Sequence, residues 1–305
     1  MTSVIIATKN RATTMVGTLE SILRQTLVPE ELVVVDQSLA DDTKAVTLET
    51  SRQIESTGRT APEIVYILDR GLTGAGAARN VGINRARGDI LVFLDDDVVL
   101  EADYLEKLLA VYQRDPSVGG VSGMITNYSR PPLRERFLEE FFCIGPFRDE
   151  RLRLYWRAQE LRQSNPVRIR KVSGCVMSIR RTALNGQCFD AEYPGAGSED
   201  VELSWRLSER WPIMMAPQAR LVHLRTKTGP ARENWLSYTV KCQYYLFHKV
   251  WNTSIKNRLC FVWLNCGFAI LALGSCLLRR SLGPARALIS GVRASRRLPL
   301  SRSVG

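Results

Sequence analysis

The chain has 305 residues, 45% of them hydrophobic and 24% charged, with a net charge of +11. That length and composition support a full buried core and exclude extensive disorder. The seven cysteines are odd in number, scattered and never spaced as CxxC, which argues against a disulfide framework or a zinc site and fits a reducing compartment.

The N-terminus opens directly into an apolar run, Ser3-Val4-Ile5-Ile6-Ala7, and no signal peptide is expected there. Val4–Ala7 reads as a strand and Thr13–Gln25 as a helix, with Met15, Leu19, Ile22 and Leu23 on one face. Leu32–Val35 is a second strand, ending at Asp36. A helix over Asp41–Ser56, a strand over Ile64–Leu68 and a helix over Gly76–Arg87 follow. Asp89–Leu94 is a fourth strand, which runs into Asp95-Asp96-Asp97. Then come a helix over Asp103–Arg114 and a strand over Val118–Val121. Continuous apolar strands alternating with helices predict an α/β fold, a mostly parallel sheet with helices on both faces. In such sheets ligands bind beyond the carboxyl ends of the strands. Thr8–Arg11, Asp36–Ser38 and Asp95–Asp97 should therefore meet on one rim.

Residues 129–171 are Arg-rich and aromatic without a clean period, and read as a variable excursion. Lys171–Ile179 is strand-like. Gly195-Ala196-Gly197 leads into a helix over Ser198–Glu209, and Arg220–His223 reads as a short strand.

Three adjacent carboxylates at a strand end repel one another and need a compensating cation. Oxygen ligands at a rim suit Mg²⁺ or Mn²⁺, although an acidic turn is the plainer alternative. Alternation would let Asp95 and Asp97 share a face while Asp96 points elsewhere. Acids opening the second constellation, Ser198-Glu199-Asp200-Val201-Glu202, often do no more than offset a helix dipole. A lone His223 after a strand is more often a satisfied structural residue than a ligand.

Five segments taken together carry a resemblance. Val4–Arg11, Val34–Ser38, Gly74–Gly82, Phe93–Asp97 and Ser198–Glu202 resemble, in order and spacing, the family 2 glycosyltransferases, which adopt the GT-A (Rossmann-like) fold. The sequence departs from that pattern at Ala7 and Lys9, where the family usually has proline and tyrosine; Lys9 adds positive charge near the nucleotide pocket. The resemblance implies an inverting transfer of a sugar from a nucleotide-sugar donor. Thr8 and Arg11 would border the nucleotide, Asp36 would bind the base edge, Arg79 would lie near the diphosphate and Asp96 would contact the ribose. Asp97, together with Asp95, would hold the metal, with His223 near it. Asp200 would be the general base and Glu199 would orient the acceptor. A single base with in-line attack predicts inversion at the anomeric carbon. The processive members' Gln-x-x-Arg-Trp signature is absent after Asp200.

The expected organisation is a catalytic domain over 1–223 and a basic helical region over 224–305. Within the former, 1–125 would bind the nucleotide sugar, and 126–223 the acceptor with the base. Residues 223–305 carry 14 Lys and Arg against one acid, Glu233, whereas residues 1–222 carry 28 against 30 acids. The basic tail should therefore seek a polyanion. Leu259–Leu278 holds no charge over twenty residues and would form a helix ~30 Å long. Lys256, Arg258, Arg279 and Arg280 flank it, and a single crossing would leave one basic flank outside. An in-plane or re-entrant helix suits that pattern better, helped by a basic face in Ala285–Leu298. A buried C-terminal helix is the plain alternative. The uncharged stretch makes an anionic membrane surface, and not nucleic acid, the expected partner. Because nucleotide sugars are cytoplasmic, the expected location is the cytoplasmic face of the membrane, and the acceptor a glycan or lipid-linked sugar of surface-polysaccharide synthesis.

Two rival functions give different expectations. A nucleotidyltransferase would need a glycine loop near the N-terminus, and Thr8–Arg11 contains no glycine. A non-catalytic, membrane-associated scaffold on the same fold would have no use for the clustered carboxylates.

Overall fold

The computed structural model describes residues 1–127, 165–190, 199–224, 235–249 and 254–298, together with Leu133, Phe137, Phe141, Phe142 and Tyr193. Most of the 129–171 excursion, the Gly195–Gly197 lead-in, Ser198 and Trp251 lie outside the described residues.

The first half alternates strand and helix as expected: β1 (Thr2–Thr8), α1 (Ala12–Leu23), β2 (Glu31–Asp36), α2 (Asp42–Glu55), β3 (Glu63–Leu68), α3 (Ala75–Arg85) and β4 (Ile90–Leu94). The four strands lie in the order β3-β2-β1-β4, and every pairing among them is parallel. Their apolar runs serve two cores, because successive side chains point to opposite faces. Val4, Ile6, Leu32, Val34, Val92 and Leu94 pack on one face with Met15, Leu19 and Ile22 of α1. Ile5, Val33, Val35, Leu91 and Phe93 pack on the other with Ala78 and Ile83 of α3.

Close approach of α3 to β1 depends on Gly82, where an added Cβ would stand 2.4 Å from Ile5 Cγ2. Gly82→Ala should therefore destabilise the protein by about 1–3 kcal/mol. Denaturant unfolding measures this, and an unchanged midpoint would refute the packing argument.

The second half comprises β5 (Val98–Leu100), α4 (Tyr104–Arg114), β6 (Gly120–Ile125), β7 (Val167–Ile169), β8 (Val176–Arg180), α5 (Arg181–Leu184), α6 (Glu199–Ser208) and β9 (Ile213–His223). Beyond β4 the sheet continues β8-β6-β9-β5, with β7 paired to β9. Here the expectation of a mostly parallel sheet needs correction. β8 runs antiparallel to both β4 and β6, and β5 and β7 are antiparallel to β9, while β6 and β9 are parallel. The sheet is therefore mixed. Val176, Met177 and Ile179 are buried like the residues of the parallel strands, because β8 is central and covered on both faces. An apolar run of that kind carries no sign of its direction. The strand expected over Lys171–Ile179 begins only at Val176. Gly174 and Cys175 turn before it, with the Val176 amide donating to the Ser173 carbonyl at 3.1 Å. The strand expected over Arg220–His223 extends back to Ile213, and β5, β7 and α5 were not anticipated.

The chain forms two compact units. The first comprises Met1–Tyr128, Tyr155–Ala191 and Glu199–Thr226, and holds the sheet. The second comprises Ser129–Leu154, Glu192–Ser198 and Lys227–Gly305, with α7 (Trp235–Lys249), α8 (Ile255–Arg279) and α9 (Gly283–Ser295). The Ser254 hydroxyl caps α8 by accepting from the Asn257 amide at 3.3 Å. Leu264, Phe268 and Ala272 of α8 pack against Leu236 and Val240 of α7 and Leu288 of α9.

Candidate active site

The polar ends of β1, β2 and β4 meet at one rim, as parallel pairing requires. The Gln37 amide donates to the Thr8 carbonyl at 2.9 Å, and the Asn10 amide to the Ser38 hydroxyl at 2.6 Å. Asn10 takes φ +56°, a left-handed conformation that asparagine tolerates better than most residues. The Thr8 hydroxyl donates to Asp96 at 2.7 Å, and Arg11 donates to Asp96 at 2.8 Å and to Asp97 at 3.4 Å.

Asp36, expected to bind a base edge, is fully buried, with 0% of its surface exposed. One of its oxygens accepts from the Ser38 amide at 2.8 Å and the other from the Tyr66 hydroxyl at 2.5 Å. Burial, and then the hydrogen bond to Asp36 and its charge, push the Tyr66 phenol well above its ordinary pKa. In this structure the Asp36 carboxylate holds the Gln37–Ser38 loop and does not lie open at the rim.

The acidic triplet occupies the turn from β4 into β5, and its members face different ways. Asp96 turns to Thr8 and Arg11. Asp95 and Asp97 turn to His223, and one ligand atom from each of the three lies within 4.8 Å of the others. His223 Nε2 is 3.0 Å from Asp97 Oδ1 and 3.9 Å from Asp95 Oδ2.

His223 reaches this position because β9 pairs with β5, which sets it opposite Val98 in register. The Leu224 amide donates to the Asp97 carbonyl at 2.8 Å. Asn127 holds the His223 backbone from both sides, donating to its carbonyl at 2.8 Å and accepting from its amide at 3.1 Å. Asn127 was missed by sequence reasoning, because nothing in the pattern around it signals a long-range clamp. Two carboxylates and an imidazole form a donor set that suits Mn²⁺ and accommodates Mg²⁺. Asp97 is buried while Asp95 is partly open, so the cluster keeps a solvent-facing side.

The second constellation belongs to the same surface. Glu199 and Asp200 open α6 and are buried, at 4% and 8% exposure. The Arg79 guanidinium joins them to the acidic triplet. Nη1 donates to Glu199 at 2.6 Å and Nη2 to Asp95 at 2.8 Å, and the group lies 5.5 Å from the centre of the Phe189 ring. The resemblance sets Arg79 near a diphosphate; the structure gives both terminal nitrogens to carboxylates.

Asp200 accepts from the Gly174 amide on one oxygen and from the Val201 amide on the other, each at 2.6 Å. Burial, reinforced by the neighbouring Glu199 charge, pushes its pKa up to about 6. Glu202, the third acid of the turn, instead pairs with Arg206 one turn on, at 2.7 Å, and has a structural role.

Gly174 is a second site residue not singled out from sequence. Its amide reaches Asp200, and an added Cβ would lie 2.8–2.9 Å from the Arg79 guanidinium atoms. Gly174→Ala must therefore shift Arg79. Displacements near 1 Å in a reacting constellation cost on the order of 100-fold in turnover. Initial rates of the variant test this, and parental rates would show that Arg79 needs no fixed position.

A mixed sheet with a carboxylate-rich rim at its strand ends is the fold of the GT-A glycosyltransferases. A mannosyltransferase from Pyrobaculum calidifontis, solved with GDP-Man and Mn²⁺, superposes with a TM-score of 0.62 at 18% identity, over 97% of this chain and 87% of its own. The chain belongs to glycosyl transferase family 2, whose pattern matches residues 3–184. An uncharacterized glycosyltransferase of Nostoc sp. is 31% identical over 38% of this chain and 34% of its own length. A glucosyl-dolichyl phosphate glucuronosyltransferase of Haloferax volcanii is 30% identical over 42% of this chain and 38% of its own. The chain thus matches only about a third of the length of these curated relatives.

Proposed function

We propose that the protein is an inverting, metal-dependent glycosyltransferase that moves a sugar from a nucleotide-sugar donor to a hydroxyl of a glycan or lipid-linked acceptor. The observation that carries this reading is the single Arg79 guanidinium shared by Asp95 and Glu199. It links the candidate cation cluster to Glu199, the sequence neighbour of Asp200, whose raised pKa suits it to be the base. The GDP-Man and Mn²⁺ of the Pyrobaculum enzyme support the donor class and the metal, and the Haloferax relative supports a lipid-linked acceptor. On this reading the work is part of surface-polysaccharide synthesis at the cytoplasmic face of the membrane, where nucleotide sugars are found.

Each group has a physical task. Asp95, Asp97 and His223 would hold Mg²⁺ or Mn²⁺, which when bound offsets the charge developing on a departing nucleoside diphosphate. Thr8 and Arg11 hold Asp96 at the rim, where it would meet the ribose, and Asp36 orders the loop beside the base pocket. Asp200 Oδ takes the acceptor hydroxyl proton as the acceptor oxygen bonds to the anomeric carbon. The bond from that carbon to the diphosphate oxygen breaks, and the electron pair leaves with the nucleoside diphosphate. Each Asp200 oxygen already holds one backbone hydrogen bond and keeps a second lone pair for this proton. Glu199, fixed by Arg79, is placed to orient the acceptor. Displacement in one step with one base inverts the anomeric centre.

The test is a panel of UDP-, GDP- and dTDP-sugars with Mn²⁺, following release of each nucleoside diphosphate. Turnover of one donor class is the expected result. No release and no calorimetric binding of any nucleoside diphosphate would favour a membrane-associated scaffold that has lost catalysis.

A further inference from the structure

α8 spans 25 residues and by length and composition could cross a bilayer. Its surroundings argue for a different seat. One face is packed within the second unit through Leu264, Phe268 and Ala272. The opposite face is exposed and wholly apolar: Leu259, Val262, Ile270, Leu273 and Leu277. Their spacing of three, four and eight residues keeps them on one stripe of the helix, about 27 Å long.

A crossing helix would bring its packed partners into hydrocarbon with it. α7 and α9 have 15 and 13 residues, about 22 and 20 Å, too short to span a core of roughly 30 Å. They also carry Lys241, Lys249, Arg286 and Arg293, which are costly at membrane depth. α9 adds Ile289 and Val292 as further exposed apolar residues. Its small residues Ala287, Gly291 and Ser295 are buried, and Gly291 lies against the Ser237 backbone of α7.

Charge identifies the occupant. Lys256 and Arg258 are exposed at the start of α8, a quarter-turn to either side of the apolar stripe, and Arg279 and Arg280 are exposed at its end. Arg293, Arg296 and Arg297 are exposed on and after α9. An apolar stripe bounded by cations on long aliphatic stems matches hydrocarbon beneath anionic headgroups. A second protein chain would give those charges no reason to bracket the stripe.

We propose that α8 lies in the plane of an anionic leaflet, with Leu259, Val262, Ile270, Leu273 and Leu277 in the acyl region and both helix ends on the same side of the membrane. This holds whether or not the protein transfers sugar, since lipid binding needs no donor.

The test uses the full chain with phosphatidylcholine vesicles, with and without phosphatidylglycerol. The parent should float with the anionic vesicles and much less with the neutral ones. Val262→Glu/Leu273→Glu should weaken flotation at least tenfold, since each buried aliphatic side chain is worth roughly a factor of ten or more. Both positions are exposed, at 60% and 62%, so the variant should keep the parental circular dichroism and melting curve. In parallel, Lys256→Cys and Ser290→Cys are exposed to a membrane-impermeant maleimide outside sealed vesicles, and modification at each position is read by peptide mass. Labelling at both is expected. Protection of one alone would mean a crossing and overturn the in-plane seat. Undiminished flotation of the double variant would remove the stripe from lipid. Absence of flotation, with a dimer that the same substitutions dissolve, would make the stripe a self-association face.

Discussion

Asp200→Asn should lower sugar transfer by about 10²- to 10⁴-fold, the range a positioned general base contributes, while nucleoside diphosphate binding and circular dichroism stay near the parent's. Asparagine has nearly the same shape and cannot take the proton. It keeps an acceptor for one of the two backbone amides that Asp200 satisfies, and it removes a charge whose burial is unfavourable, so these two changes oppose each other in stability. The parent should also show a pH signature. Burial and the Glu199 charge raise the Asp200 pKa to about 6, and only the ionised form acts as a base. kcat/KM should therefore be flat above about pH 7 and fall tenfold per unit below about pH 6. The residual activity of the variant should lack that limb. Normal turnover by Asp200→Asn would remove the base assignment, and an unchanged acid limb in the variant would move the titration to another group.

Much of this site is legible in the sequence because local pattern determines it. Continuous apolar runs that give way to polar residues end β1, β2 and β4 at a common rim, so Thr8, Arg11, Asp36 and Asp95–Asp97 had to lie together once those strands were parallel. The grouping of Asp95 with Asp97 apart from Asp96 agrees with the strand alternation expected from sequence, although the triplet itself lies in a turn. What sequence hides is long-range pairing. The insertion of β8 between β4 and β6 is a matter of strand order, and its apolar residues fit either direction. Gly174 looks like an ordinary turn glycine until Arg79 is seen against it. Asn127 looks like a loop residue until β9 brings His223 into its reach, 96 positions away. Arg79 shows a third limit. A motif can assign a neighbourhood, but whether a buried guanidinium serves a phosphate or two carboxylates depends on which acids the fold turns toward it.

The second large effect expected is thermal stabilisation by Mn²⁺. A ligand that binds only the folded state adds about 2.7 kcal/mol at 100 times its Kd, which for a chain of this size raises Tm by roughly 5 °C. The cluster suits such binding. Its three donor groups already converge within 4.8 Å, and Asn127 and the β5–β9 pairing fix the histidine, so little ordering is left to the ion. Asp97→Asn should abolish the shift and lower turnover, yet cost the metal-free protein little, because Arg11 keeps its 2.8 Å bond to Asp96. His223→Gln leaves both carboxylates and should weaken the shift without abolishing it. Chelation should stop turnover of the parent, and added Mn²⁺ or Mg²⁺ should restore it. Differential scanning fluorimetry across a Mn²⁺ titration separates these outcomes from activity. A parental shift that survives in Asp97→Asn would put the ion elsewhere, and full turnover in excess chelator would make this a metal-independent transferase. In that case the positive charge beside the departing diphosphate would have to come from the protein, and Arg11, at the rim and 3.4 Å from Asp97, is one group able to supply it.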